Sequence, residues 1–154
     1  MIQIERILVP SDFSEPARKA LIYAVEFAKA YQAEIILVHV MEPPIYPVSI
    51  SVGAVSVPPI GDEMRQHTSD QLELLRTAEI GSEIPSRIAV AEGKPFLEII
   101  QLARKDCVDM IIISTHGHTG LKHVLVGSTT EKVVRKAPCP VLCVRQKERE
   151  FVRP

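Results

Sequence analysis

Gly127-Ser128-Thr129-Thr130 puts three hydroxyl side chains directly after a glycine, and a helical pattern takes over from there. The backbone N–H groups at the mouth of a helix point outward unpaired, and the helix dipole adds partial positive charge to them. Such a mouth suits an anion, phosphate in particular. Ser128 with Glu131 three residues on also spells a capping box, in which the carboxylate competes for the same N–H groups. Upstream, Ser114-Thr115-His116-Gly117-His118-Thr119-Gly120 is a polar turn of small residues, joined to Gly127 by a short apolar connection, Leu121 to Val126. No G-x-x-x-x-G-K-[ST] is present, and no G-x-G-x-x-G follows the first strand. A phosphate here is therefore held by amides and hydroxyls, not by a lysine of a phosphate loop.

Other chemistries fit less well. His116, His118 and His123 are spaced by two and five, which matches no common zinc signature, so no metal-ligating side chains are assigned. His116 and His118 read as polar residues near an anion, His123 as part of the connecting segment, and His39 as a hydrogen-bonded residue inside a strand. Cys107, Cys139 and Cys143 are odd in number and lie beside apolar runs. They read as small buried hydrophobes in a reducing compartment, and C-x-x-x-C is not the redox dithiol spacing. Hydrolysis needs an aligned nucleophile and stabilisation of the transferring phosphoryl group. The motif region offers no evident carboxylate to orient water. Lys122 or a histidine could supply charge, but nothing requires it. The reading is binding with at most slow turnover and no assigned catalytic residue.

The elements that position these residues follow from periodicity. Arg6-Ile7-Leu8-Val9-Pro10 is a short apolar run ended by proline, and Ser14 before Glu15 and Pro16 marks a helix start. Ala17, Ala20, Leu21, Ala24, Val25, Ala28 and Tyr31 then keep to one helical face. Ile35 to Val40 is apolar at nearly every position, as in a strand buried on both faces of a parallel sheet. A helix from Asp62 to Ile80 follows, with Met64, Thr68, Leu72, Leu75 and Ala78 inward and Gly81 closing it. Arg87 to Val90 is a modest strand. Phe96, Ile99, Ile100 and Ala103 form the buried face of the next helix, with Leu97 at its boundary. Met110 to Ile113 is the strand before the polar turn. Val133, Val134 and Ala137 face inward after Gly127, and Val141 to Val144 is the last strand.

Five strands alternating with four helices define an α/β protein, an open doubly wound parallel sheet with helices on both faces, Rossmann-like. In such sheets ligands sit beyond the carboxyl ends of the strands, where strand order reverses. If strands one and four are neighbours there, Ser11-Asp12 and Ser114 to Gly117 line one crevice. Between the second strand and second helix, residues 43–61 are proline-rich at both ends and alternate apolar with small polar residues. The segment reads as a loop, with a hairpin around Gly53-Ala54 as the alternative. It is too apolar to stand free in water, and is expected to pack as a lid over the cleft or against a partner subunit.

The 154 residues suit one domain, 1–147, followed by a charged, frayed tail, 148–154. A net charge of −1 leaves no electrostatic footprint for nucleic acid. Apolar residues make up 46%, yet no run approaches a membrane span, and Glu5 and Arg6 flank a run too short for a signal peptide. The expectation is a cytoplasmic protein without nucleic-acid or membrane partners.

Four motifs in order carry a family resemblance: Leu8-Val9-Pro10-Ser11-Asp12-Phe13-Ser14-Glu15, Leu37-Val38-His39-Val40, Ser114-Thr115-His116-Gly117 followed after nine residues by Gly127-Ser128, and Ala137-Pro138-Cys139-Pro140-Val141-Leu142. Over nearly its whole length the chain resembles the universal stress protein family, and its ATP-binding members in particular. The resemblance implies strand order 3-2-1-4-5, a homodimer through the last strand, Val141 to Val144, and ATP, with AMP or ADP as other adenine nucleotides. It implies Mg²⁺ or Mn²⁺ held through the phosphates. It places Asp12 and Val40 at adenine or ribose, with Pro10, Ser11 and Ile113 beside them. Gly117 would let backbone approach the phosphates, near Ser114 and His116, and Gly127, Ser128 and Thr129 would hold them. The family pattern is G-x2-G-x9-G-[S/T], and Ser114 stands where its first glycine would. The function so implied is that of a nucleotide-dependent stress-response module. The alternative is a nucleotide-free dimeric scaffold acting through protein contacts.

Overall fold

Nine elements alternate along the chain in the computed structural model, which describes residues 1–43, 60–116 and 126–145. They are β1 (Arg6–Pro10), α1 (Glu15–Tyr31), β2 (Glu34–Met41), α2 (Asp62–Glu79), β3 (Ser86–Glu92), α3 (Pro95–Lys105), β4 (Met110–Ser114), α4 (Ser128–Lys136) and β5 (Val141–Val144). All strand pairs are parallel, and the sheet order is β3-β2-β1-β4-β5, as expected. Residues 44–59, which hold most of the proline-rich segment, lie outside the described residues, as do 117–125 and 146–154 with the charged tail.

The pleat explains the continuous apolar strands. Ile7, Val9, Ile35, Leu37 and Ile112 point to one face, where they meet Ala20, Leu21, Ala24 and Ala28 of α1 and Leu72 of α2. Leu8, Ile36, Val38, Ile111 and Ile113 point to the other, against Ile99 and Ala103 of α3 and Val133 of α4. Each fully buried Leu or Ile contributes about 1.5–3 kcal/mol of transfer free energy, so both faces must be covered. Two helices cover each.

The seam between β1 and β4 is held by more than its ladder. Asp109 Oδ2 accepts from the backbone N–H groups of Glu5 (2.8 Å) and Arg6 (2.9 Å), and Asp109 N–H donates to the Arg6 carbonyl at 3.0 Å. Ile7 then pairs with Met110 and Leu8 with Ile111. This registration sets the C-terminal ends of β1 and β4 side by side.

Several expected inward faces are narrower than the periodicity implied. In α2 only Thr68 and Leu72 are buried, while Met64 is 58% exposed and Ala78 is exposed. That helix packs against β2 and β3 at the sheet's edge, so fewer of its turns meet a covering surface. Val134 is 51% exposed because it lies one residue, about 100° of rotation, around α4 from the buried Val133. Tyr31 is also exposed and stacks on Phe27, with ring centroids 6.2 Å apart. The cysteines divide. Cys107 is exposed at a left-handed position (φ 48°) just beyond α3. Cys139 and Cys143 are half-buried, and burial pushes both thiols up, with Asp109 adding to the effect at Cys139. As expected, Gly81 ends α2 in the left-handed region (φ 76°), which a side chain would strain.

Candidate functional site: the crevice between β1 and β4

Beyond the reversal, α1 leaves β1 toward one face of the sheet, while α4, which follows β4, packs on the other. Between them lies a cavity of about 400 Å³. Pro10, Ser11 and Asp12 line it from β1, Val38, His39, Val40 and Glu42 from the end of β2, Ile113 to His116 from β4, and Gly127 to Thr130 from α4. Every residue expected at the site is therefore brought to one cavity except Gly117, which lies outside the described residues.

The β1 turn is wired internally. Ser11 N–H donates to the Val38 carbonyl at 2.8 Å, and Phe13 N–H to Ser11 Oγ at 3.2 Å. Phe13 itself is left-handed (φ 64°). Asp12 Oδ1 accepts from both Ser14 N–H (3.0 Å) and the Ser14 hydroxyl. Ser14 is the N-cap of α1, as expected, and its oxygen accepts from Ala17 N–H at 3.3 Å. Its own residues thus satisfy the start of α1.

The start of α4 differs from the expected capping box. Gly127, not Ser128, is the N-cap, Ser128 is the first helical residue, and among the described residues no side chain caps the mouth. Glu131 turns the other way, accepting from Arg135 at 2.7 Å one helical turn later. The signature S-x-x-E is present, but a basic residue four positions on captures its carboxylate. The N–H groups at the mouth consequently meet the cavity without a competing carboxylate.

Gly127 eases a close approach here. Its N–H donates to the Thr115 carbonyl at 2.7 Å, and a Cβ at Gly127 would lie 3.2 Å from that same oxygen. The β4 turn is thereby drawn against the helix mouth. Ser114 fits this arrangement: its side chain is buried, its hydroxyl donates to the His116 carbonyl at 2.8 Å, and its own carbonyl accepts from the buried Thr130 hydroxyl at 2.7 Å. The hydroxyl that replaces a glycine is bonded within the turn.

Several residues that line this cavity had no site role in the sequence reading, among them Thr130, His39, Glu42 and Pro95. Thr130 was within the hydroxyl run but had no assigned role. His39 was read as an interior strand residue, and its Nδ1 does pair with the Ser11 carbonyl at 2.8 Å, but its ring also lines the cavity. Its place beside Val40 was the available signal. Glu42 and Pro95 join because β2 and α3 reach the same end of the sheet. Among the described residues, no three His, Cys, Asp or Glu side chains are grouped to hold a metal ion. No helix among them is long and apolar enough to cross a membrane.

An uncapped helix mouth at the reversal of a doubly wound parallel sheet places the protein among open α/β folds that take ligands at the carboxyl ends of their strands. The chain belongs to the universal stress protein family: the model described as Universal stress protein family matches residues 3–145. It is 32% identical over 160 residues to universal stress protein MJ0577 of Methanocaldococcus jannaschii, covering 95% of this chain and 98% of that one. It is 35% identical over 145 residues to universal stress protein YxiE of Bacillus subtilis, covering 91% and 98%. The solved structure of universal stress protein UspA from Lactobacillus plantarum matches with a TM-score of 0.78 at 26% identity, over 93% of this chain and 99% of that one. More distant members share the fold, among them one solved in complex with cAMP (18% identical, TM-score 0.66) and one from Archaeoglobus fulgidus in complex with dAMP (19%, 0.62).

Proposed function

We propose that this universal stress protein binds an adenine nucleotide, ATP foremost, in the β1–β4 crevice and acts as a nucleotide-dependent stress-response module in the cytoplasm. The observation that carries the reading is the mouth of α4, which faces the cavity with no side-chain cap and with Thr115 drawn against Gly127. Helix N–H groups left this way favour an anionic occupant. The solved cAMP and dAMP complexes of other family members support adenine as the base.

In this reading Asp12 and Val40, with Pro10, Ser11 and Ile113, receive the nucleoside. Gly127, Ser128 and Thr129 hold phosphate oxygens, with Ser114, His116 and Gly117 on the facing turn. The protein offers no ready-made ligand cluster for Mg²⁺ or Mn²⁺ among the described residues, so the cation arrives bound to phosphate and water. The carboxylates lining the cavity, Asp12 and Glu42, come from the β1 and β2 side, and none comes from α4 or the described part of the β4 turn. Turnover is accordingly slow at most. β5 ends the sheet with Val141, Leu142 and Cys143 half-exposed, and pairing of two copies through this edge completes the proposed dimer.

Calorimetric titration of nucleotide-stripped protein with ATP and Mg²⁺, ADP and AMP tests this, with sedimentation to fix the oligomeric state. Saturable binding by a dimer is expected. One observation favours a nucleotide-free scaffold, namely Ser114 in place of the family's first motif glycine. A folded dimer that binds none of the three nucleotides would decide for that scaffold.

A further inference from the structure

β1 stops pairing at Pro10, opposite Val38, while β2 continues alongside β3 through His39, Val40 and Met41. At this parting the Ser11 carbonyl is met by the His39 ring, with Nδ1 at 2.8 Å. A carbonyl oxygen only accepts, so the proton lies on Nδ1, and in the neutral ring Nε2 carries none. The ring also packs against Phe13, with centroids 4.7 Å apart and planes tilted by 36°.

We infer that His39 is a positioning residue of the crevice: its Nδ1–H fixes the Ser11–Asp12 peptide and thereby the direction in which Asp12 presents its carboxylate. This deepens the nucleotide reading and rests on it. The Ser11 carbonyl and the Asp12 N–H belong to one rigid peptide plane, so holding the first orients the second and the Cα that follows. Asp12 is then gripped from both ends, by the imidazole through the backbone and by Ser14 through Oδ1. A left-handed Phe13 comes next, a conformation that costs energy in a non-glycine residue and is kept where its surroundings enforce it. The imidazole supplies part of that enforcement by touching both the carbonyl before Asp12 and the ring after it.

Two amide variants separate the ring nitrogens. His39→Asn places an N–H where Nδ1–H stands, and His39→Gln places one near Nε2. Titration with AMP and with ATP and Mg²⁺ is expected to leave His39→Asn within about threefold of wild type and to weaken His39→Gln and His39→Ala about tenfold or more. Thermal unfolding alongside identifies any variant that fails to fold. Retention by Gln with loss in Asn would assign the role to Nε2 and overturn the inference. Equal losses in Asn and Gln, in step with their stability, would reduce His39 to packing and overturn it too. Ring ¹⁵N spectra of the wild type should show a protonated Nδ1, and the opposite tautomer also overturns it. If wild-type protein binds neither nucleotide, the nucleotide reading fails by itself. The backbone amide shifts of Asp12 and Phe13 still decide the tie: preserved in His39→Asn and displaced in His39→Gln supports it, and equal displacement in both overturns it.

Discussion

The mouth of α1 is sealed by its own residues: the Ser14 oxygen takes the Ala17 N–H, and Asp12 takes the Ser14 N–H and hydroxyl. The mouth of α4 borders the same cavity with glycine at the N-cap and no side-chain hydrogen bond. Serine is among the strongest N-cap residues, and glycine there gives up only a few tenths of a kcal/mol relative to it. The open mouth is therefore cheap to build, and in the proposed reading the closed one keeps α1 from competing for the same anion. The two starts teach that position at the reversal of the sheet is not enough to make a receptor. The local side chains decide whether the helix satisfies itself or waits for a ligand.

The comparison can be broken most severely at Gly127. In Gly127→Val the new Cβ meets the Thr115 carbonyl, so nucleotide affinity is expected to fall about a hundredfold, ~2.7 kcal/mol, in calorimetry on protein shown by circular dichroism to be folded. Thr130→Val strikes the same mouth from beneath. It leaves the Ser114 carbonyl without its buried hydroxyl donor, and urea unfolding should register a loss of about 1–3 kcal/mol. Ser14→Ala opens the closed mouth. The expected cost is about 1 kcal/mol of stability in the same unfolding assay, with a smaller effect on nucleotide affinity than at Gly127. Glu131→Ala should matter least, at most about 0.5 kcal/mol, because it removes only an exposed pair with Arg135. A tenfold rise in affinity in that variant would mean that Glu131 does compete at the mouth in solution.

Much of the fold was legible because both faces of the sheet demand apolar residues, so each strand announced itself as a continuous run. Strand neighbours were not legible in that way. Nothing in the local pattern of Ile7-Leu8-Val9 says that its partner is Ile111. That pairing depends on contacts such as Asp109 to Glu5, across the middle of the chain, and the order was available only through family resemblance. Inward faces of helices were over-read, at Met64 because periodicity ran on past the surface to be covered and at Val134 because it lies one residue around the helix from the buried Val133. At the site, the small and hydroxyl residues gave away the crevice, but S-x-x-E fits two arrangements equally well. The choice was made by Arg135, four residues beyond Glu131, and by the glycine one position earlier. His39 escaped notice as a cavity residue because a histidine in an apolar strand has the same local pattern whether its ring meets core or cleft.

The Asp109 clasp on the start of β1 also has a consequence for how the protein is made. Its bond to Glu5 joins groups 104 positions apart in sequence. β1 can pair with β2 early in synthesis, but its other edge stays bare until β4 has left the ribosome. At ordinary elongation rates of about 5–20 residues per second, that interval is about 5–20 s for the 104 positions. Through it, the nascent chain presents an unpaired edge of β1, whose Ile7, Leu8 and Val9 are fully buried in the finished sheet. The strand at the centre of the folded sheet is thus a part of the growing chain that gains from shielding by a chaperone.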